Sequence, residues 1–215
     1  MIIYLMRHGE TEWNKEEKLQ GQSDIPLNPY GIKLAEITSE ALSSVSFDRA
    51  FSSPLSRAEK TAEIMCRGRA LPVKTDDRLK EFNFGTAEGM LLSDVTRAVS
   101  SPIYDCFYHP SAYRKAVEGG ETIDEIESRT MDFMDRIIKP LELEKDCGNI
   151  LVVCHGGVIR AIINSIRQTP REMFWDSVSE RNCAVNLIEC TGGRFRVLET
   201  GKIYYHEETD RKGAL

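Results

Sequence analysis

Four short stretches carry residue types suited to phosphate chemistry. In "LMRHGETEWN", residues 5–14, Arg7, His8 and Gly9 stand together where the apolar start "MIIYLM" runs out. A neutral imidazole can attack phosphorus through one ring nitrogen while a hydrogen bond to the other fixes the tautomer. Arg7 supplies a planar fork of donors matching phosphate oxygens, and Gly9 lets the backbone turn close to one. In "SSPLSRAEKTA", residues 52–62, Arg57 falls near the start of an expected helix, where free N–H groups and the helix dipole favour an anion. In "LKEFNFGTAEG", residues 79–89, Glu81 has Leu79 and Phe82 beside it, and partial burial there would suit its carboxyl to proton transfer. In "VVCHGGVIRA", residues 152–161, His155 separates an apolar run from an expected helix, with Gly156 and Gly157 offering N–H groups as a phosphate cradle. Each stretch alone has an ordinary explanation as a solvated or structural side chain. Together they point to one phosphate site.

The apolar pattern says how the chain brings these stretches together. Residues 1–6 read as a strand, and Leu34, Ile37, Leu42 and Val45 recur at helical spacing over 30–45. "DRAFSS" reads as a short strand feeding a helix from Leu55 to about Arg67, with Pro54 fitting its start, and "LPVKT" as another strand. The clearest helix is 121–139, where Ile123, Ile126, Thr130, Phe133, Met134, Ile137 and Ile138 trace one face and Pro140 supplies a stop. "NILVVC" reads as a buried strand running into the helix "GVIRAIINSI", and "AVNLIEC" and "RFRVLET" as final strands around "TGG". This alternation predicts an α/β fold with a largely parallel sheet. Ligands of such sheets gather at the carboxyl ends of strands, where both His8 and His155 stand.

A chain of 215 residues, 41% apolar and 29% charged, fits a single domain over 1–215 with a proper core. The formal charge of −6 argues against nucleic-acid and anionic-membrane partners, so an anionic substrate must be met by a local cluster of Arg and His. No stretch approaches the ~18 apolar residues of a membrane span. The start lacks the marks of a signal peptide, and the scattered cysteines form no CxxC pair, so the expectation is a cytoplasmic protein with reduced thiols and no metal site. Residues 206–215, "HEETDRKGAL", read as a frayed polar tail.

In this order, and from Met1 to about residue 190, the motifs resemble those of the histidine phosphatase superfamily, also called the phosphoglycerate-mutase-like family. Arg7 to Thr11 stand where that family has Arg-His-Gly-Glu-Thr, followed by Asn14, "GQSDIPLNPYG", "SPLSRAEKTA", "LKEFNFGTAEG" and "HGG". The resemblance implies a three-layer α/β/α sandwich whose mostly parallel, mixed sheet has one antiparallel strand. It implies His8 as the nucleophile that becomes a phosphohistidine, with Arg7, Arg57 and His155 holding the phosphoryl oxygens. It gives Glu81 the proton transfers, Asn14 and the Gly156 N–H further phosphate contacts, and the reaction no metal or cofactor.

Within the family, residues 90–120 form a modest insert that lacks the recognisable pattern of the cofactor-dependent mutases, and "EGGETIDEIESR" resembles the compact phosphatases. The expected activity is therefore hydrolysis of a small phosphorylated metabolite, with mutase transfer as the alternative. Tyr104, Phe107, Tyr108, His109 and Tyr113 suggest a lid, which Arg114 joins, and the pair Arg114-Lys115 is the candidate for meeting a second anionic group. A catalytically inert binding module would be expected to have lost the nucleophile, clamp or acid, and this chain keeps all three. Cys154 and Arg160 also have the Cys-x5-Arg spacing of a cysteine-dependent phosphatase loop, which leaves Arg7, His8, Arg57 and Glu81 unused. Cys154 is better read as a small buried apolar residue. An exposed strand edge near "AVNLIEC" is the candidate surface for a homodimer.

Overall fold

The computed structural model of the protein describes residues 1–95, 97–178 and 181–206. The expected frayed tail falls outside them beyond His206. Strand β1 (Ile2–Arg7) leads to a single helical turn, α1 (Glu12–Lys15), then α2 (Pro29–Ala41), β2 (Arg49–Ser52), α3 (Ser56–Cys66) and β3 (Val73–Thr75). Short helices α4 (Leu92–Val95) and α5 (Pro102–Tyr108) lie in the insert. Helix α6 (Ile123–Phe133) continues through a wide turn into α7 (Lys139–Leu141), and β4 (Asn149–Cys154), α8 (Gly156–Arg167), β5 (Val185–Thr191) and β6 (Arg194–Lys202) follow.

The six strands form one sheet in the order β3-β2-β4-β1-β5-β6. The first four run parallel, and β5 is antiparallel to both β1 and β6. The expected mixed sheet with one reversed strand is thus present. Its central strands are apolar throughout because side chains alternate between two buried faces. Ile150, Val152 and Cys154 of β4 join Ile123, Ile126 and Phe133 of α6 and Val158, Ile159 and Ile162 of α8. Leu151 and Val153 join Leu34 and Ala35 of α2 and Ala58, Ala62 and Met65 of α3. Each fully buried aliphatic side chain contributes about 1.5–3 kcal/mol, so both helical layers are held firmly to the sheet.

Two expectations need correction. Pro140 does not stop the long helix. The Lys139 N–H donates to Met134 O, five residues back, and this wider turn over Met134–Ile138 lets the chain pass the proline ring and continue to Leu141. The "AVNLIEC" segment is not a sheet edge either, because β6 pairs along its free side. The edges are β3 and β6.

Candidate active site

Arg7 and Cys154, the last residues of the adjacent strands β1 and β4, are paired in register. The residues that follow them therefore emerge side by side at the carboxyl end of the sheet. His8 N–H donates to Cys154 O at 3.0 Å, and the rings of His8 and His155 lie 5.1 Å apart.

The His8 ring is locked by its neighbours. Its Nδ1 donates to Gly9 O at 2.6 Å; a carbonyl only accepts, so the proton sits on Nδ1 and Nε2 keeps a free lone pair. Gly9 is fixed in turn. Its N–H donates to Thr61 Oγ1 at 3.0 Å, and a Cβ on Gly9 would come within 2.4 Å of Gly31 O at the start of α2. Thr61 Oγ1 donates to Arg57 O at 2.7 Å, one turn back on α3. The loop after His8 and the backbone of Arg57 thus share one hydroxyl.

Arg57 is fully buried. Its Nη1 donates to Ser23 O at 2.8 Å and its Nη2 to Gly21 O at 2.7 Å, while Nε has no partner among the described residues. Burial lowers its pKa to about 10, against the support of Glu81 and Asp24, so it stays cationic at neutral pH. His155, the N-cap of α8, places Nε2 2.8 Å from Ser53 Oγ, and its Nδ1 is buried without a partner. We assign the ring proton of His155 to Nδ1, with Ser53 Oγ–H donating to Nε2; Ser53 Oγ also accepts the Leu55 N–H.

Burial, then the charges of Arg57 and Arg7, hold the His8 pKa well below the ordinary value. His155 is lowered in the same way by burial, Arg57, His8 and Arg7. Both rings therefore stay neutral in the folded protein after the unfolded chain has begun to protonate. The unfolded chain binds more protons as pH falls below about 6.5, and stability should drop by up to about 1.4 kcal/mol per pH unit for each ring. Thermal melts should show Tm falling between pH 7 and pH 5, and less steeply for His155→Asn. A Tm independent of pH over that range would contradict buried neutral imidazoles.

Glu81 faces the start of α8. Its Oε1 accepts Phe82 N–H at 2.7 Å and Gly157 N–H at 3.0 Å, and Oε2 accepts only the longer 3.3 Å contact from Gly157. The expected two-glycine cradle is therefore modified: Gly157 N–H is taken by the Glu81 carboxylate, and Gly156 is the glycine that opens the helix. Asn14 is oriented by Thr11 N–H and Asn182 Nδ2, both 3.2 Å from its Oδ1, which turns its NH2 group outward. Asn182 Nδ2 also lies 3.2 Å from His8 O and so links Asn14 to the nucleophile loop.

Sequence reasoning missed these supporting residues. Ser53, Thr61 and Asn182 act across long sequence separations. Arg129 donates to the carbonyls of Arg78 (2.6 Å) and Glu81 (3.0 Å) and forks onto Glu121, gripping the start of the acid segment. The sole sequence hint was an arginine on the predicted helix 121–139.

The lid expectation is only partly matched by the placement of its residues. Phe107 stacks on Phe84 and Trp175, so the insert rests on the acid segment. Tyr104 and Tyr108 stack on each other at 4.7 Å, with Tyr108 exposed. Tyr113 is a core residue, not a lid residue: it is buried against Phe82 and its hydroxyl donates to Glu121 O at 3.1 Å. Arg114 is exposed beside Asp124 at 3.8 Å. Cys154 is buried in the core, and Arg160 donates to the carbonyls of Trp175 (2.9 Å) and Gly156 (3.3 Å), an arrangement unlike a Cys-x5-Arg phosphate loop. Among the described residues no cluster of His, Cys, Asp and Glu is arranged to hold a metal ion, and no helix is long and apolar enough to cross a membrane.

Comparison with known proteins agrees with this geometry. The chain is 33% identical over 195 residues to the uncharacterized phosphatase PhoE of Bacillus subtilis, covering 91% of each. It is 31% identical over 173 residues to a 2,3-bisphosphoglycerate-dependent phosphoglycerate mutase of Cytophaga hutchinsonii, covering 80% of this chain and 79% of that one. The solved α-ribazole phosphatase of Shigella flexneri superposes with a TM-score of 0.80 at 26% identity, over 94% of this chain and 96% of that one. Since the family model also matches residues 3–202, nearly the whole of the described sheet, the chain belongs to the histidine phosphatase superfamily (branch 1).

Proposed function

We propose that this protein is a phosphomonoesterase that hydrolyses a small phosphorylated metabolite through a phosphohistidine on His8. The observation that carries this reading is a pair of buried donors, Arg57 Nε and His155 Nδ1, left without partners among the described residues beside a ring whose Nδ1 is already tied. Unsatisfied buried donors are costly, and a bound phosphoryl oxygen satisfies them. The charges of Arg57 and Arg7 reach both neutral imidazoles, as expected of groups gathered around one anion.

In this reading His8 Nε2 attacks phosphorus, the P–O bond to the substrate oxygen breaks, and Glu81 Oε2 delivers a proton to that oxygen. Water then attacks the phosphohistidine, Glu81 takes its proton, and the N–P bond breaks to release inorganic phosphate. Arg7, Arg57 and His155 hold the equatorial oxygens, with Asn14 and Gly156 N–H as further contacts, so the positive charge comes from the chain itself and no metal is required.

Hydrolysis is favoured over mutase transfer by the insert. A mutase needs a second anion site, and of the pair offered for it Arg114 lies in solvent beside Asp124 and Lys115 is exposed as well. Tyr104 and Tyr108 are the insert residues we assign to leaving-group preference.

An aryl phosphate incubated with the purified protein in excess chelator should release phosphate at the rate seen without chelator. Activity that returns only on adding a divalent ion would overturn the metal-free mechanism. Formation of 2-phosphoglycerate from 3-phosphoglycerate and 2,3-bisphosphoglycerate, in place of phosphate release, would move the assignment to mutase.

A further inference from the structure

Glu88 closes the acid-bearing segment, and its carboxylate is spent on a different loop. Oε1 accepts Gln22 N–H at 2.8 Å, and Oε2 accepts Ser23 N–H at 2.8 Å and Ser23 Oγ–H at 2.6 Å. These donors belong to the turn whose Gly21 and Ser23 carbonyls hold the two terminal nitrogens of Arg57. The fit leaves no room: Gly21 has φ +54°, and a Cβ there would sit 2.0 Å from Glu88 Oε1. The turn reaches back as well, since Gln22 Nε2 donates to Glu81 O at 3.1 Å. Main-chain bonds frame the crossing, Gly89 N–H to Leu19 O at 2.8 Å and Leu19 N–H to Met90 O at 2.9 Å. At its far end, Asp24 accepts Ser56 N–H (2.8 Å) and Ser56 Oγ–H (2.7 Å) at the start of α3.

We propose that Glu88 is a positioning residue that locks the turn holding Arg57 to the segment carrying Glu81, so that the phosphate clamp and the proton donor are set as one rigid unit. The proposal rests on the hydrolytic reading above. A carboxylate is the group that accepts from three donors at once, and its charge shortens and strengthens each bond. A glutamine at this position keeps the size but has one acceptor oxygen, and its NH2 would face an N–H of the turn. Arg57 would then be held by carbonyls free to drift, and small misplacements of reacting groups carry large rate penalties.

The test is a double-mutant cycle with an aryl phosphate, comparing wild type, Glu88→Gln, Arg57→Ala and the double variant, with a thermal melt of each. Glu88→Gln should lower kcat by about 10- to 100-fold with little change in Tm. In the Arg57→Ala background the same change should cost less than about twofold, because no clamp remains to be misplaced. An equal fold-loss with and without Arg57, or wild-type activity in Glu88→Gln, would overturn the proposal. Should Glu88→Gln fail to fold, Ser23→Ala removes one donor and should show a smaller, several-fold loss that again requires Arg57; no loss there would count against the proposal. Calorimetric titration with inorganic phosphate reads the clamp without turnover. If wild type hydrolyses nothing, the hydrolytic reading fails, whereas weaker phosphate binding in Glu88→Gln, present only with Arg57, still supports the lock.

Discussion

Replacing His8 with alanine is expected to lower kcat/KM for an aryl phosphate by at least about 10⁴-fold and to leave no acid-labile phosphate on the protein. The size of the effect follows from the absence of a substitute. His155, the nearest ring, has Nε2 engaged by Ser53 and is held as a donor. Cys154 is in the core. With the nucleophile gone, the oxyanion contacts survive, so the variant should still bind inorganic phosphate. Rapid quench of wild type with a labelled substrate into alkaline denaturant should trap a phosphoenzyme stable to base and labile to acid. Trapped phosphate of equal yield in His8→Ala would place the nucleophile elsewhere.

Arg57→Lys is expected to lower kcat by about 10³-fold, and Arg57→Ala to fall within about tenfold of it. The near-equality is the informative part. Arginine here spends Nη1 and Nη2 on two carbonyls of one turn and still has Nε–H to offer. A lysine has one nitrogen on a flexible stem, so it cannot hold the turn and the phosphate in fixed relation. Melting temperatures of both variants separate lost catalysis from lost folding. A lysine variant with most of its activity would mean that charge alone suffices.

The parts of the site that were legible in the sequence are those fixed by strand ends. His8 and His155 could be placed because each follows an apolar strand run, and Arg57 because its helix start was marked by Pro54. What could not be read were the long-range partners. Nothing near Ser53 in the chain says that it meets His155, because β2 and β4 pair only in the folded sheet. Tyr113 shares its sequence neighbourhood with the exposed Tyr108 and is separated from it by packing alone. Pro140 misled because the rule that proline ends a helix assumes ordinary spacing, and the wide turn before it removes the clash. The neighbours of β5 were beyond reach for a similar reason: a segment does not announce which of its edges is covered.

The sheet order also sets a timetable for synthesis. β1 leads directly into His8, yet its two neighbours in the sheet are β4 and β5, made more than 140 residues later. At roughly 5–20 residues per second, the ribosome needs on the order of ten seconds or more after His8 emerges before β4 exists to receive it. Until then the strand's buried residues, Ile3, Leu5 and Met6, have no sheet to enter. The strand that leads to His8 is completed only once β4 and β5 have been made.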